Sequence, residues 1–265
     1  MSWWGKLLGG TFGFMLGGPL GAVLGAALGH NFDKGLNLSE ELGGPHRGDQ
    51  QRIQTAFFTA SFSVMGAVCK ADGQVSDDEI AIAKQVMGQM QLSAEQKKAA
   101  VALFNEGKKE SFPLQDILQQ LKREIGFRPN LQRMFLEIQL YAAYADGLMH
   151  PEELKLLHKV CEILRVSRRE FEQLDAAIRA QFHHQSSNLA DKSSGLNLKD
   201  AYALLNIASD ASDAEVKRAY RRLISQHHPD KLVSKGLPEE MMKIATDRTH
   251  EIRQAYEKIK DERDF

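Results

Sequence analysis

His228-Pro229-Asp230 sets a planar ring, a fixed backbone dihedral and a carboxylate side by side. The proline removes an N–H and stiffens the turn it occupies. The histidine can donate or accept, and the aspartate suits a partner's guanidinium. Just upstream, Lys217, Arg218, Arg221 and Arg222 lie largely away from an apolar stripe of Val216, Ala219, Tyr220, Leu223 and Ile224, as on a helix with one wet face. A basic face of this kind would speed encounter with an acidic groove and make binding sensitive to salt. The chemistry is recognition rather than bond breaking. Neither a nucleophile nor a phosphate-binding glycine loop accompanies His228 and Asp230, which argues against a catalytic pair. Residues 199–265 carry equal numbers of basic and acidic side chains, which argues against a nucleic-acid-binding domain.

A second set of groups is acidic. Ala71-Asp72-Gly73 and Ala145-Asp146-Gly147 recur at an offset of 74 residues, followed in register by Glu79 and Glu153 and then by Ser93 and Ser167. The Asp-Gly-x5-Glu spacing matches the second half of an EF-hand loop. The first half is missing: Val68 and Lys70 in one copy, Ala142 and Tyr144 in the other, stand where oxygen ligands are needed. Asp72, Glu79, Asp146 and Glu153 are therefore expected to form turns and helix caps, with a metal site shared between the copies as the alternative. Cys69 and Cys161 have no Cys or His at ligand spacing and suit small buried apolar positions, compatible with a reducing compartment. No cofactor is expected.

The elements that must hold these groups are helical. A short first helix around Lys199–Leu205, a basic helix opened by Ser212 and Glu215, and a third helix from about Pro238 carrying Met241, Ala245, Ile252, Ala255, Tyr256 and Ile259 make an antiparallel hairpin with the tripeptide at its tip. The middle, residues 51–182, shows helical periodicity in Phe58, Phe62, Met65 and Cys69 and again in Leu154, Leu157, Cys161 and Leu164. Ser76 with Glu79, Ser93 with Gln96, and Ser167 with Glu170 have the spacing of capping boxes, and Pro151 suits a first helical position. Gly43-Gly44-Pro45 within residues 35–50, and two Ser-Ser pairs with Gly195 within residues 183–197, mark linkers. With 265 residues, a net charge of −1 and 43% hydrophobic side chains, the chain is long enough for two domains and has no global charge bias toward any partner.

The amino terminus differs from the rest. Leu7 to Gly29 is a run of 23 uncharged residues, which as a helix spans roughly 34 Å against about 30 Å of hydrocarbon. Gly9, Gly13, Gly17, Gly21, Gly25 and Gly29 repeat every fourth residue. That stripe is costly in a helix facing water but makes a groove for close helix contact in lipid. The expectation is a single membrane span within residues 1–34 that self-associates along the glycines into a homodimer, with Trp3 and Trp4 at the interface. A cleaved signal peptide, a glycine-rich interfacial hairpin and a pore-forming assembly are the other readings of the same residues. Lys6, Lys34 and Arg47 encode orientation only weakly.

Residues 198–265 resemble the J domain of the DnaJ co-chaperones, through Tyr202, Tyr220, the basic run, His228-Pro229-Asp230 and Ile252-Arg-Gln-Ala-Tyr256. Residues 51–182 resemble the tellurite-resistance TerB-like helical domain. With the glycine-rich span, the whole resembles the DjlA type of membrane-anchored DnaJ-like co-chaperone. The resemblance implies an all-α protein docking on a DnaK-type ATPase chaperone through Lys217, Arg221, Arg222, His228, Pro229 and Asp230 and stimulating its ATP hydrolysis without being an enzyme itself. It also implies a bacterial inner-membrane protein crossing once, with its carboxy-terminal domains in the cytoplasm where the ATP-dependent partner resides. Thr249 stands where J domains commonly place a core Phe, so the packing of the third helix is expected to differ. A Gly/Phe-rich segment and Cys-x-x-Cys motifs are absent from the sequence. A membrane-tethered stress sensor whose TerB-like domain binds a metal or small ligand is the competing function.

Overall fold

The computed structural model describes residues 18–27, 47–71, 73, 87–88, 90, 92–144, 148–190 and 197–265, and among these there is helix and no strand. Gly9, Gly13, Gly17, Gly29, Asp72, Ser76, Glu79 and Asp146 lie outside the described residues.

Helix α1 (Arg47–Cys69) is the axis of the bundle. Phe57, Phe62, Val64 and Met65 are fully buried, and so are Ser61 and Ser63, so the helix is enclosed on nearly every side. Two of its buried polar groups are bonded: the Ser63 hydroxyl donates to Thr59 O at 2.7 Å, and Gln139 Nε2 on α4 donates to Ser61 O at 3.1 Å. Around it pack α2 (Ala94–Gly107), α3 (Leu114–Ile125), α4 (Pro129–Ala143) and α5 (Pro151–Leu164), with α6 (Arg168–Ala190) laid on α4 and α5. The crossing of α1 and α2 is glycine-dependent on both sides. A Cβ on Gly66 would fall 2.0 Å from Phe104 O, and one on Gly107 would fall 1.7 Å from Ser63 O.

The duplication is visible in the helix ends. α1 and α4 stop at Cys69 and Ala143, and α2 and α6 start at Ala94 and Arg168, each pair keeping the 74-residue offset of the sequence. Ser93 and Gln96 form a reciprocal capping box on α2. Ser167 accepts from the Glu170 N–H at 3.2 Å, and Pro151 occupies the first turn of α5. Helix α1 begins at Arg47, and α6 continues to Ala190, so helix extends into both stretches that composition marks as linkers.

The carboxy-terminal elements are α7 (Leu198–Leu205), α8 (Asp213–His227), α9 (Pro229–Val233), a 3₁₀ turn (Glu239–Met241) and α10 (Met242–Arg263). Ala201, Leu205, Val216, Ile252, Ala255 and Ile259 are the centre of a small core of their own. Tyr220 stacks on Tyr256 with ring centroids 4.2 Å apart. Arg263 closes the hairpin's open end, with Nε on Tyr202 OH at 2.6 Å and its other nitrogens on Ser209 O, Ala211 O and Asp213.

The apolar residues of the third helix divide between two cores. Met241, Ile244 and Ala245 pack into the core of the bundle, together with Leu232 and Leu237, whereas Ile252, Ala255 and Ile259 serve the hairpin. Arg248 stands at the changeover and is 4% exposed. Thr249 is half-buried and returns its hydroxyl to Thr246 O at 2.8 Å.

Of the expected membrane segment, residues 18–27 are helical, with Gly21 and Gly25 half-buried. Leu20 and Val23 are buried against the bundle, and the Leu20 N–H donates to Gln120 Oε1 at 2.7 Å. Among the described residues no helix is long and apolar enough to cross a membrane.

Candidate functional site

The tip of the hairpin is built by three local choices. Ser212 and Glu215 form a capping box that starts α8, with the Ser212 N–H donating to Glu215 Oε2 at 2.8 Å. The hydrogen bonds from Ser212 hold the Glu215 carboxyl below its usual value. At the other end, His228 leaves helical geometry (φ −60°, ψ 121°) and Pro229 takes the first turn of α9, where a missing N–H costs nothing. The Leu232 N–H returns to His228 O at 3.1 Å. The tripeptide is thus a short bridge between two helices.

The six expected docking residues run along α8 from near its start to the bend after its end, and they differ in surroundings. Arg221, Arg222 and Asp230 are exposed, while Lys217, His228 and Pro229 are half-buried. Lys217 Nζ lies over the Phe265 ring, 4.6 Å from its centroid. His228 Nδ1 is buried without a hydrogen-bond partner among the described residues. Lys231, which the sequence reading did not single out, sends its ammonium to Ser225 Oγ at 2.8 Å. With about 3.6 residues per turn, Lys217 and Arg221 share a ridge on the side of α8 away from Gln226 and His227.

Sequence reasoning missed what lies beneath the tip. His227 is 3% exposed, with Nδ1 2.9 Å from Leu223 O and Nε2 2.8 Å from Glu137 Oε1 on α4. Glu137 is 1% exposed, and Arg248 approaches from α10 while hydrogen-bonding Glu251 at 3.1 Å. Burial pushes the Glu137 carboxyl up, but His227, with Arg248 and Arg133 behind it, holds it below the ordinary carboxylate value. Burial works against the charge on Arg248, and Tyr141, Glu137 and Glu251 outweigh it, so its guanidinium stays charged. Burial raises the Glu251 carboxyl despite Arg248. Glu137, His227 and Arg248 line a cleft of about 160 Å³ between α4, α6, α7, α8 and α10, shared by Arg133, Glu170, Arg222 and Gln226. Nothing in the one-dimensional pattern pairs Glu137 with a histidine 90 positions away.

Of the acidic residues considered for metal, Glu153 is the described one. Its Oε2 accepts from the His150 N–H at 2.8 Å and caps α5. Among the described residues no cluster of three or more His, Cys, Asp or Glu could hold a metal ion. Cys69 and Cys161 are free and buried, and burial, reinforced by Glu170, pushes the Cys161 thiol up to about 12.

A helical hairpin with His-Pro-Asp at the bend, attached to a duplicated helical bundle, defines the class: a co-chaperone of the DnaJ-domain type. The family model for the DnaJ domain matches residues 200–264, that for the tellurite resistance protein TerB matches residues 58–176, and that for the co-chaperone DjlA transmembrane domain matches residues 1–39. Co-chaperone protein DjlA of Vibrio parahaemolyticus is 44% identical over the whole of both chains. That of Coxiella burnetii is 43% identical over 98% of each, and that of Yersinia pestis 42% over the whole of both. The chain belongs to the DjlA co-chaperone family. Membership places it among regulators of another protein rather than among enzymes, with a DnaK-type chaperone implied as partner and a membrane as its setting. No solved structure matches the chain.

Proposed function

We propose that this co-chaperone stimulates the ATPase of a DnaK-type chaperone through Lys217, Arg221, Arg222, His228, Pro229 and Asp230. The observation that carries the reading is the tip itself. An exposed Asp230 and a half-buried His228 are fixed at a proline-started bend beside exposed Arg221 and Arg222. Such a surface offers charge-assisted hydrogen bonds and steering to an acidic partner without any group able to break a bond itself. The carboxy-terminal modules face the cytoplasm of a bacterium from the inner membrane, because the partner consumes ATP. Glycines 9 to 29 bring two copies together in the bilayer, since their four-residue spacing suits close helix contact.

The test is single-turnover ATP hydrolysis by a DnaK-type chaperone with full-length chain in detergent. Wild type should accelerate hydrolysis, and His228→Gln should lose that acceleration on the order of tenfold or more, as expected of a central anchor. Equal acceleration by both, or none by wild type, would remove the reading.

A further inference from the structure

The end of the hairpin that carries His228-Pro229-Asp230 is the end seated on the bundle. Leu232, Leu237, Met241, Ile244 and Ala245 are buried in the bundle's core. Gln50 Nε2 donates to Val233 O at 3.2 Å and Gln54 Nε2 to Leu237 O at 3.4 Å, both from α1. Gly236 sits so close to α1 that a Cβ would fall 2.4 Å from Ile53 Cγ2, and its φ of +110° also demands glycine.

His227 is the last residue of α8 and the one just before the tripeptide. Both its ring nitrogens are engaged, Nδ1 with Leu223 O and Nε2 with Glu137 Oε1. Around this pair lie Arg133 on α4, Glu170 on α6, Arg222 on α8, and Arg248 and Glu251 on α10, with Tyr141 on α4 acting on Arg248. Buried charges this enclosed hold their partners tightly, because removing one leaves the other uncompensated. The bundle therefore grips the inner side of α8, and the Lys217–Arg221 ridge remains outward.

We infer that Glu137 is a positioning residue for the docking tip: by fixing His227 it sets the orientation of the adjoining His228-Pro229-Asp230 turn, so that the TerB-like bundle is a working part of the chaperone-docking surface. The inference rests on the docking reading above. Glu137 touches no partner; it acts through His227. Its loss frees the end of α8 and the start of α9 while the helices on either side persist.

Two measurements on full-length chain in detergent test it. Glu137→Ala should speed hydrogen exchange of the Leu232 N–H about tenfold, with the amides of α1 and α7 unchanged. It should also raise the co-chaperone concentration for half-maximal ATPase stimulation about fivefold, with the maximal rate much less affected. Glu137→Gln, whose amide can accept from or donate to His227 Nε2, should restore most of both. His227→Ala deletes the same bond and leaves the bundle's sequence intact, so it carries the same expectations should Glu137→Ala not fold. Unchanged exchange in these variants overturns the inference. So does faster exchange at the tip with unaltered stimulation, or a Glu137→Gln chain as impaired as Glu137→Ala. Failure of wild type to stimulate at all would sink the docking reading instead, and the exchange arm would still decide whether the bundle holds the tip.

Discussion

Glu137 shows how little a residue's own type says about its work. In the sequence it is one acidic residue inside an apolar helix, Met134-Phe-Leu-Glu-Ile-Gln-Leu140. In the structure it is the buried anion opposite His227, with Arg248 and Arg133 near enough to hold its carboxyl below the ordinary 4.5 despite burial. The sign of the resulting pH dependence follows from linkage. A carboxyl with a depressed folded pKa contributes stability that is fully present above its unfolded value and is lost as pH falls through the folded one. Glu251, raised by burial, works in the opposite sense: what it contributes is present below its ordinary value and lost as pH rises. Glutamine at 137 mimics the protonated form. Glu137→Gln keeps a hydrogen bond to His227 but loses the charge, so it should cost about 1 kcal/mol at neutral pH, less than Glu137→Ala, and the gap between its urea midpoint and that of wild type should close as pH drops below the ordinary carboxyl value. A gap independent of pH would mean that charge at this position does not matter. By contrast, the bend at His228, Pro229 and Asp230 was legible directly, because proline suits a first helical position and stiffens the turn before it.

At the scale of elements, local signals were legible and crossings were not. Ser93 with Gln96 and Ser212 with Glu215 cap the helices that their spacing marks, since a capping box involves residues three apart. Pro151 and Pro229 both start helices. The α1–α2 contact depends instead on Gly66 within α1 and Gly107 at the last residue of α2, and sequence alone counts glycine in a helix as a weakness. Gly66→Ala would drive its Cβ to 2.0 Å from the Phe104 carbonyl oxygen, and backbone offers no rotamer to relieve the clash. We expect a loss of about 3 kcal/mol or more, read from a urea unfolding curve. A loss under about 1 kcal/mol would show that the two helices can slide apart. Gly88, with nothing within 4 Å of an added Cβ, is the control and should tolerate alanine. The third helix illustrates the same limit. Its apolar residues run together in the sequence, yet they divide between two cores at the buried Arg248.

At the scale of the molecule, the hairpin and the bundle share buried residues, so these two modules of the chain are mechanically joined. Release of the tip from the bundle and docking on a partner would involve the same end of α8. The membrane end belongs to the same scale. Residues 1–39 match a transmembrane domain, and the glycines repeating every fourth position are the feature that would bring two copies together. Replacing Gly17 and Gly21 with Leu should abolish cross-linked dimers of full-length chain in membranes if that stripe is the contact, because leucine side chains hold the helix axes apart. Undiminished cross-linking would reject the glycine interface while leaving the anchor intact.

The sequence by itself determined the all-helical class, the duplication, the helix starts and the bend at His228-Pro229-Asp230. Each of these depends on residue type and short-range spacing, which the chain carries in one dimension. Only the tertiary structure decided that the tripeptide's neighbour His227 turns inward to Glu137, that Gly236 lies against Ile53, and that Met241, Ile244 and Ala245 leave the hairpin for the bundle. Those facts depend on which surfaces meet when two separately patterned segments pack. An apolar or charged side chain shows in sequence that it needs a partner, but not which one.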